Sequence, residues 1–170
     1  MAAGALHILE PGLLTTVQDL GRYGHQASGV PVAGPMDTFS HRLANQLAGN
    51  SIDAATLEIT LIGPDLIVEA DTTMAIAGGQ FEVTCDDRPL ALGASFAVAR
   101  GQRIKFGRVL EGARAYLAVA GGVQTEPLLG SRATHLVSRM GGFKGRALAA
   151  GDRVPIASES MPRPLRKSVP

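Results

Sequence analysis

From Thr56 onward the chain repeats one pattern, a short segment rich in Val, Ile, Thr or Phe closed by Gly, Pro or Asp. "TLEITLIG", "DLIVEA", "TMAIAGG", "FEVTCDD", "SFAVARG", "RIKFG" and "RAYLAVAGG" follow one another at strand-plus-turn spacing. Several alternate, as Phe81, Val83 and Cys85 do against Glu82 and Thr84. Many short strands joined by turns predict an all-β barrel or sandwich, not a layered α/β fold. Aromatic residues are only 4% of the 170, so Leu, Val, Ile and Ala must fill the core. A chain this long buries roughly 70% of its unfolded surface, enough for one domain without a disulfide or metal.

One segment reads as a helix. In "MDTFSHRLANQLAGN", Phe39, Leu43, Ala44 and Leu47 fall on one face at helical spacing. Asp37 is placed to cap the N-terminus, and Gly49 and Asn50 are stop residues. The expected span is residues 38–48. The last ten residues, "MPRPLRKSVP", hold three prolines and no periodicity. The expected organisation is therefore one β domain over residues 1–157, then a linker or disordered tail over 158–170.

Between the first strand signal, Leu6–Leu9, and the helix runs "TTVQDLGRYGHQASGVPVAGPMD", Thr15 to Asp37. It is too poor in core-forming residues for a packed helix or an ordinary strand, and reads as a loop. It carries Gln18, Asp19, Arg22, His25 and Asp37 in close succession. Gly21 and Gly24 permit backbone geometries that other residues resist, and bare their N–H groups to a ligand. Arg22 offers a planar fork suited to a carboxylate or phosphate. Gln18 donates and accepts, as reading an amide or lactam requires. For Asp19 two roles stand open, a base or the partner that holds Arg22. Asn45 lies on the helix, facing the loop; His25 and His41 are expected at the surface. A second glycine-rich stretch, "SRMGGFKGRALAAGD", precedes the last apolar run, "RVPIA".

Other chemistries are excluded. The net charge is +1, with 16 Lys and Arg interspersed among 15 acidic residues. That is no footprint for nucleic acid. There is no G-x-x-x-x-G-K-[ST] loop, no G-x-G-x-x-G after a strand and no H-E-x-x-H. The four histidines are scattered, so no metal site is expected. Cys85 is the only cysteine and sits on an alternating strand; it reads as a core thiol in a reducing compartment. Ser95 in "GASFA" lies between strands and lacks the setting of a nucleophile elbow. Asp86–Asp87 reads as a hairpin turn. Neither a signal peptide nor a membrane-length apolar run is present, and a cytoplasmic protein is the expectation.

Taken in order, "TTVQDLGRYGHQASGVPVAGPMD", "ANQLAGN", "LEITLIGP", "YLAVAGGV", "LGSRAT" and "GGFKGRALAAGD" resemble one family. It is that of the 5-oxoprolinase C subunit, also called allophanate hydrolase subunit 2 or KipA-like, which occurs as a carboxyltransferase domain in urea carboxylase. The resemblance covers nearly the whole chain and corresponds to the N-terminal half of longer family members. It implies a mainly β, cyclophilin-like barrel that pairs with a homologous B subunit, similar to allophanate hydrolase subunit 1. With a third hydrolase subunit, that assembly opens 5-oxoproline to glutamate using ATP. In the urea carboxylase form, a carboxyl group passes to urea from biotin carried by a partner. A further member antagonises an inhibitor of a histidine kinase. The positions matching the family signature are Gln18, Asp19, Arg22, Gly24, Gly34, Pro35, Met36 and Asp37. The resemblance makes Gln18, Asp19 and Arg22 the catalytic candidates. Gly24, Gly34, Pro35, Met36, Asp37 and Asn45 become candidates for binding substrate or touching a partner.

Overall fold

The computed structural model describes residues 4–157, so the expected tail over 158–170 lies outside the described residues. Among the described residues nine strands form one antiparallel sheet: β1 (Gly4–Glu10), β2 (Leu14–Gln18), β3 (Thr56–Thr60), β4 (Asp65–Val68), β5 (Thr72–Cys85), β6 (Arg88–Pro89), β7 (Ser95–Val98), β8 (Arg103–Val119) and β9 (Arg153–Ile156). The main path runs β2-β3-β8-β4-β1-β9. The spine is β8: one edge pairs with β4 near its start and with β3 near its end, while β5 runs along the other. Serving three strands bends β8 and curls the sheet into a half-barrel. The expected mainly β architecture is therefore present.

Two expected turns are absent. "TMAIAGG" and "FEVTCDD" form the single strand β5, and "RIKFG" and "RAYLAVAGG" contribute to the single strand β8. The Gly78–Gly79 pair is a bulge. The register slips between Gly78 and Gln80, Gly78 has φ 110°, and a Cβ there would lie 2.6 Å from the Arg114 carbonyl oxygen. A glycine inside a strand marks a bend as readily as an end. Asp86 and Asp87, with φ 47° and 63°, make the expected two-residue hairpin between Cys85 and Arg88. Cys85 packs half-buried against the core, where burial raises its thiol pKa, consistent with a structural thiol.

The core lies inside the curl. Leu6, Ile8, Leu57, Ile59, Leu66, Met74, Ile76, Ile104 and Leu117 are fully buried there. The opposite face of β5 and β8 presents Ala75, Ala77, Tyr116 and Ala118, and α1 (Thr38–Leu47) packs on it. Both faces of these strands are thus covered, which is why Thr72–Ala77 is buried throughout.

The helix boundaries agree with the sequence. The Asp37 carboxylate caps α1 by accepting from Ser40 N–H at 3.0 Å and Ser40 Oγ at 2.5 Å, and these bonds hold its pKa low. Of its expected inward face, Ala44 is buried and Leu43 and Leu47 pack on the same cluster, but Phe39 does not. Phe39 is 76% exposed, while Ser40, His41, Ala44 and Asn45 point inward. An alanine-lined surface admits the helix closely, so small or hydrogen-bonded residues meet it and the large ring is turned out. The expectation that His41 lies at the surface is likewise corrected: it is fully buried, edge-on to Tyr116 with ring centroids 5.8 Å apart.

Candidate functional site

The loop expected from Thr15 to Asp37 begins as a strand. Thr15–Gln18 belong to β2, where threonines hide the strand signal. Opposite β3, the edge of β2 is covered by residues 133–148. Thr134 donates to the Val17 carbonyl through N–H at 3.0 Å and Oγ1 at 2.8 Å, and Leu148 N–H donates to Thr15 O at 2.9 Å. The turn leading into this segment brings Ser131, Arg132 and Thr134 of "LGSRAT" onto Gln18 and Asp19, and Gly141 of the second glycine-rich stretch onto Arg22.

Asp19 is the knot of that seam. Its carboxylate accepts from Gly21 N–H (2.9 Å), Ser131 Oγ (2.6 Å) and Arg132 N–H (2.5 Å). Of the two roles open for Asp19, holding Arg22 is not what the structure places: no ion pair joins them among the described residues. Arg22 is instead 1% exposed and donates from Nη2 to Ala133 O at 2.5 Å and from Nε to Leu128 O at 3.4 Å. Carbonyl dipoles rather than a carboxylate receive the guanidinium. Gly141 packs against it and Gly142 against the neighbouring Thr134: a Cβ at Gly141 would collide with Arg22 Nη2 and Ala133 O, and one at Gly142 with Thr134 Oγ1. Gln18 donates from Nε2 to Thr16 Oγ1 (3.0 Å) and Thr134 O (3.2 Å). Gln18 Oε1 and Arg22 Nη1 are buried with no hydrogen-bond partner among the described residues. A buried acceptor and a buried donor left over in one seam distinguish it from ordinary core, where such groups are nearly always paired.

The loop's far arm has a different anchor. Glu58 Oε2 accepts from Met36 N–H (2.8 Å) and from the Tyr116 hydroxyl (2.7 Å), which itself accepts from Asp37 N–H at 2.8 Å. Arg114 Nε lies 3.6 Å from Glu58 Oε1. Burial, followed by the bond to Glu58, pushes the Tyr116 pKa up, so it stays a donor. Pro35 and Asp37 are half-buried, and the Met36 side chain is 71% exposed. The two arms touch through Gly34, where a Cβ would stand 3.2 Å from Leu20 O, and through Arg22 N–H, which donates to Val32 O at 2.8 Å.

Gly24 and Asn45 stand apart. Gly24 faces open space. Asn45 is buried and donates to Ala54 O at 2.8 Å, so it faces the residues after the helix rather than the loop. His25 is partly exposed, beside the short 3-10 turn Gln26–Ser28. His41 does connect to the seam: its Nδ1 is 3.0 Å from Thr56 Oγ1, which donates to Gln18 O at 3.5 Å. Desolvation lowers the His41 pKa. Sequence reasoning missed Glu58, Tyr116, Ser131, Thr134 and the Gly141–Gly142 pair. Signals existed in the carboxylate amid apolar "LEITLIGP" and in "LGSRAT", but nothing local linked them to residue 19. Among the described residues, no cluster of His, Cys, Asp or Glu has metal-binding geometry, and no helix is long and apolar enough to cross a membrane.

Comparison with known proteins places this arrangement. Residues 28–170 match the family described as "Carboxyltransferase domain, subdomain A and B". The chain is 42% identical over 151 residues to the C subunit of 5-oxoprolinase from Escherichia coli, covering 89% of this chain and 49% of that protein. It is 41% identical over 166 residues to urea amidolyase of Lachancea kluyveri, covering 94% of this chain and 9% of that protein. Its fold superposes on the crystal structure of the Kluyveromyces lactis urea carboxylase with TM-score 0.88 at 40% identity, over 96% of this chain and 15% of that one. The chain thus spans about half the length of the first of these relatives and a small part of the others. With the family match covering most of its length, the chain belongs to the carboxyltransferase domain family, subdomains A and B.

Proposed function

We propose that the chain works as the C-type component of an ATP-dependent amidohydrolase that opens 5-oxoproline to glutamate, together with a third hydrolase subunit and a homologous B-type partner. The observation that carries this reading is the pair left over in the seam, Gln18 Oε1 and Arg22 Nη1. A cyclic amide presents one N–H and one C=O on adjacent atoms. It calls for one acceptor and one fixed donor, and a guanidinium is the donor whose charge stabilises a carbonyl oxygen as it becomes anionic. Both atoms are buried, so access to the pair requires the residues packed on them to move. ATP is read as acting in the assembled complex, as the family resemblance implies.

A carboxyltransferase reading draws on the family match and on the urea amidolyase and carboxylase relatives. There a partner carries biotin. Its ureido ring, like urea, offers the same N–H and C=O edges, so Gln18 and Arg22 fit that group by the same donor set. The deciding assay assembles the chain with its partners. ATP- and 5-oxoproline-dependent glutamate release supports the first reading, and carboxyl transfer to urea supports the second. Partner binding with neither turnover contradicts both and leaves a non-catalytic module that antagonises a kinase inhibitor. In either active assembly, Arg22→Lys should fold and lose about 10–100-fold in kcat/KM, the worth of one charge-assisted hydrogen bond. Wild-type activity in that variant would remove Arg22 from recognition.

A further inference from the structure

On either side of Gly141–Gly142 the chain makes two tight loops that bring Arg139, Lys144 and Arg146 to one cleft. His135 bridges Met140, and Phe143 bridges Arg146 across Lys144 and Gly145. Lys144 and Gly145 have φ 57° and 66°, the two positive values of a type I′ turn. Arg139, in the other loop, has φ 52°. Non-glycine residues seldom adopt that conformation, and it clusters where side chains are held for function. The loops are locked together. Gly145 N–H donates to Gly141 O at 2.9 Å, and a Cβ at Gly145 would collide with the Arg139 carbonyl oxygen.

Between them lies an open cleft of about 390 Å³ lined by Leu136, Arg139, Lys144, Gly145 and Arg146. That volume is within the usual range for small-molecule sites, roughly 300–1,000 Å³. No carboxylate lines it. Arg146 is fixed by a bidentate pair with Asp152, at 2.7 and 2.8 Å. Arg139 and Lys144 have no acidic partner within ion-pair distance among the described residues. Lys144 Nζ and the Arg146 guanidinium carbon also share one ring, 5.1 and 5.7 Å from the Phe143 centroid. Arg139, Lys144 and Arg146 therefore line one opening; Arg146 is paired with Asp152, and that carboxylate also acts on Lys144 at longer range.

We infer that this cleft is a binding site for a small multivalent oxyanion, a phosphate or diphosphate group, held by Arg139 and Lys144 and oriented by Arg146. Arg139 and Lys144, neither in an ion pair among the described residues, match an anion carrying two charges or more, and the guanidinium fork of Arg139 suits phosphate oxygens. The site does not depend on the reaction proposed above and should operate in this chain alone.

The test is calorimetric titration of the full chain with inorganic diphosphate at low ionic strength. Saturable one-site binding is expected, weakened at least fivefold in Arg139→Ala and again in Lys144→Ala. Arg108→Ala, which removes an exposed cation elsewhere, should bind as the parent does. Circular dichroism melts of each variant would confirm that it is folded. Absence of saturable binding, or an equal loss in Arg108→Ala, would overturn the proposal; the latter would mean diffuse attraction to surface charge.

Discussion

The inside of the half-barrel and the seam along β2 are both buried, but they are held in opposite ways. The inside is closed by aliphatic side chains such as Leu57, Ile76 and Leu117, with no polar partner to find. The seam is closed by Asp19, Arg22, Gln18 and Thr134, each bonded to groups more than 100 residues away in sequence. Apolar contact tolerates imperfect fit and loses stability in proportion to volume removed. A polar seam is nearly all-or-none, because a lost partner leaves a desolvated group behind. The difference implies that the barrel sets the global stability, while the seam sets the shape of one rim.

Leu117→Ala, in the barrel, should cost the most, about 2–5 kcal/mol in a urea titration, from lost transfer energy and the cavity it leaves. A cost below about 1 kcal/mol would mean that the core is looser than the burial indicates. Asp19→Asn should cost about 1–3 kcal/mol, because an amide has a single acceptor oxygen and its NH2 would face a donor that the second carboxylate oxygen now satisfies.

The comparison is sharpened by pH. Burial depresses the His41 pKa in the fold, so the unfolded chain binds the proton more readily. His41's stabilising contribution is complete above its ordinary value of 6.5 and is lost as pH falls from there toward the folded value. Asp37 and Asp152 have lowered pKa values, from Ser40 bonds and the Arg146 pair respectively; their contributions are present above 3.8 and decline only in more acid solution. The slope of stability between pH 7 and 5.5 should therefore shrink in His41→Gln; an unchanged slope would contradict the burial of a neutral ring. The smallest effect is expected for Phe39→Ser, within about 0.5 kcal/mol, because the ring is exposed.

The strand cadence after Thr56 makes the β class legible, and Asp37 with Gly49 marks the helix, since local rules govern both. What local rules do not contain is not legible. Gly78–Gly79 carries the same signal for a bulge as for a turn. Phe39 reads as core because periodicity reports a helix face and not the size of the surface that receives it. Gln18, Asp19 and Arg22 are visible as an unusual cluster. Their partners at 128–142 come from the chain's return along the β2 edge, which no spacing within residues 15–37 encodes. Asp19–Arg22 proximity in sequence suggests a pair, whereas the fold gives each a separate backbone partner.

The glycine-rich segment is built into the fold by a polar seam rather than hanging from it, and amide hydrogen exchange in the parent and in Asp19→Asn tests this directly. The Thr134 N–H, bonded to Val17 O, and the Arg132 N–H, bonded to Asp19, should be protected in the parent. In Asp19→Asn the Arg132 amide should exchange much faster, while the Ile76 and Leu117 amides of the barrel keep their slow exchange. Free exchange at Arg132 and Thr134 in the parent chain would contradict the seam.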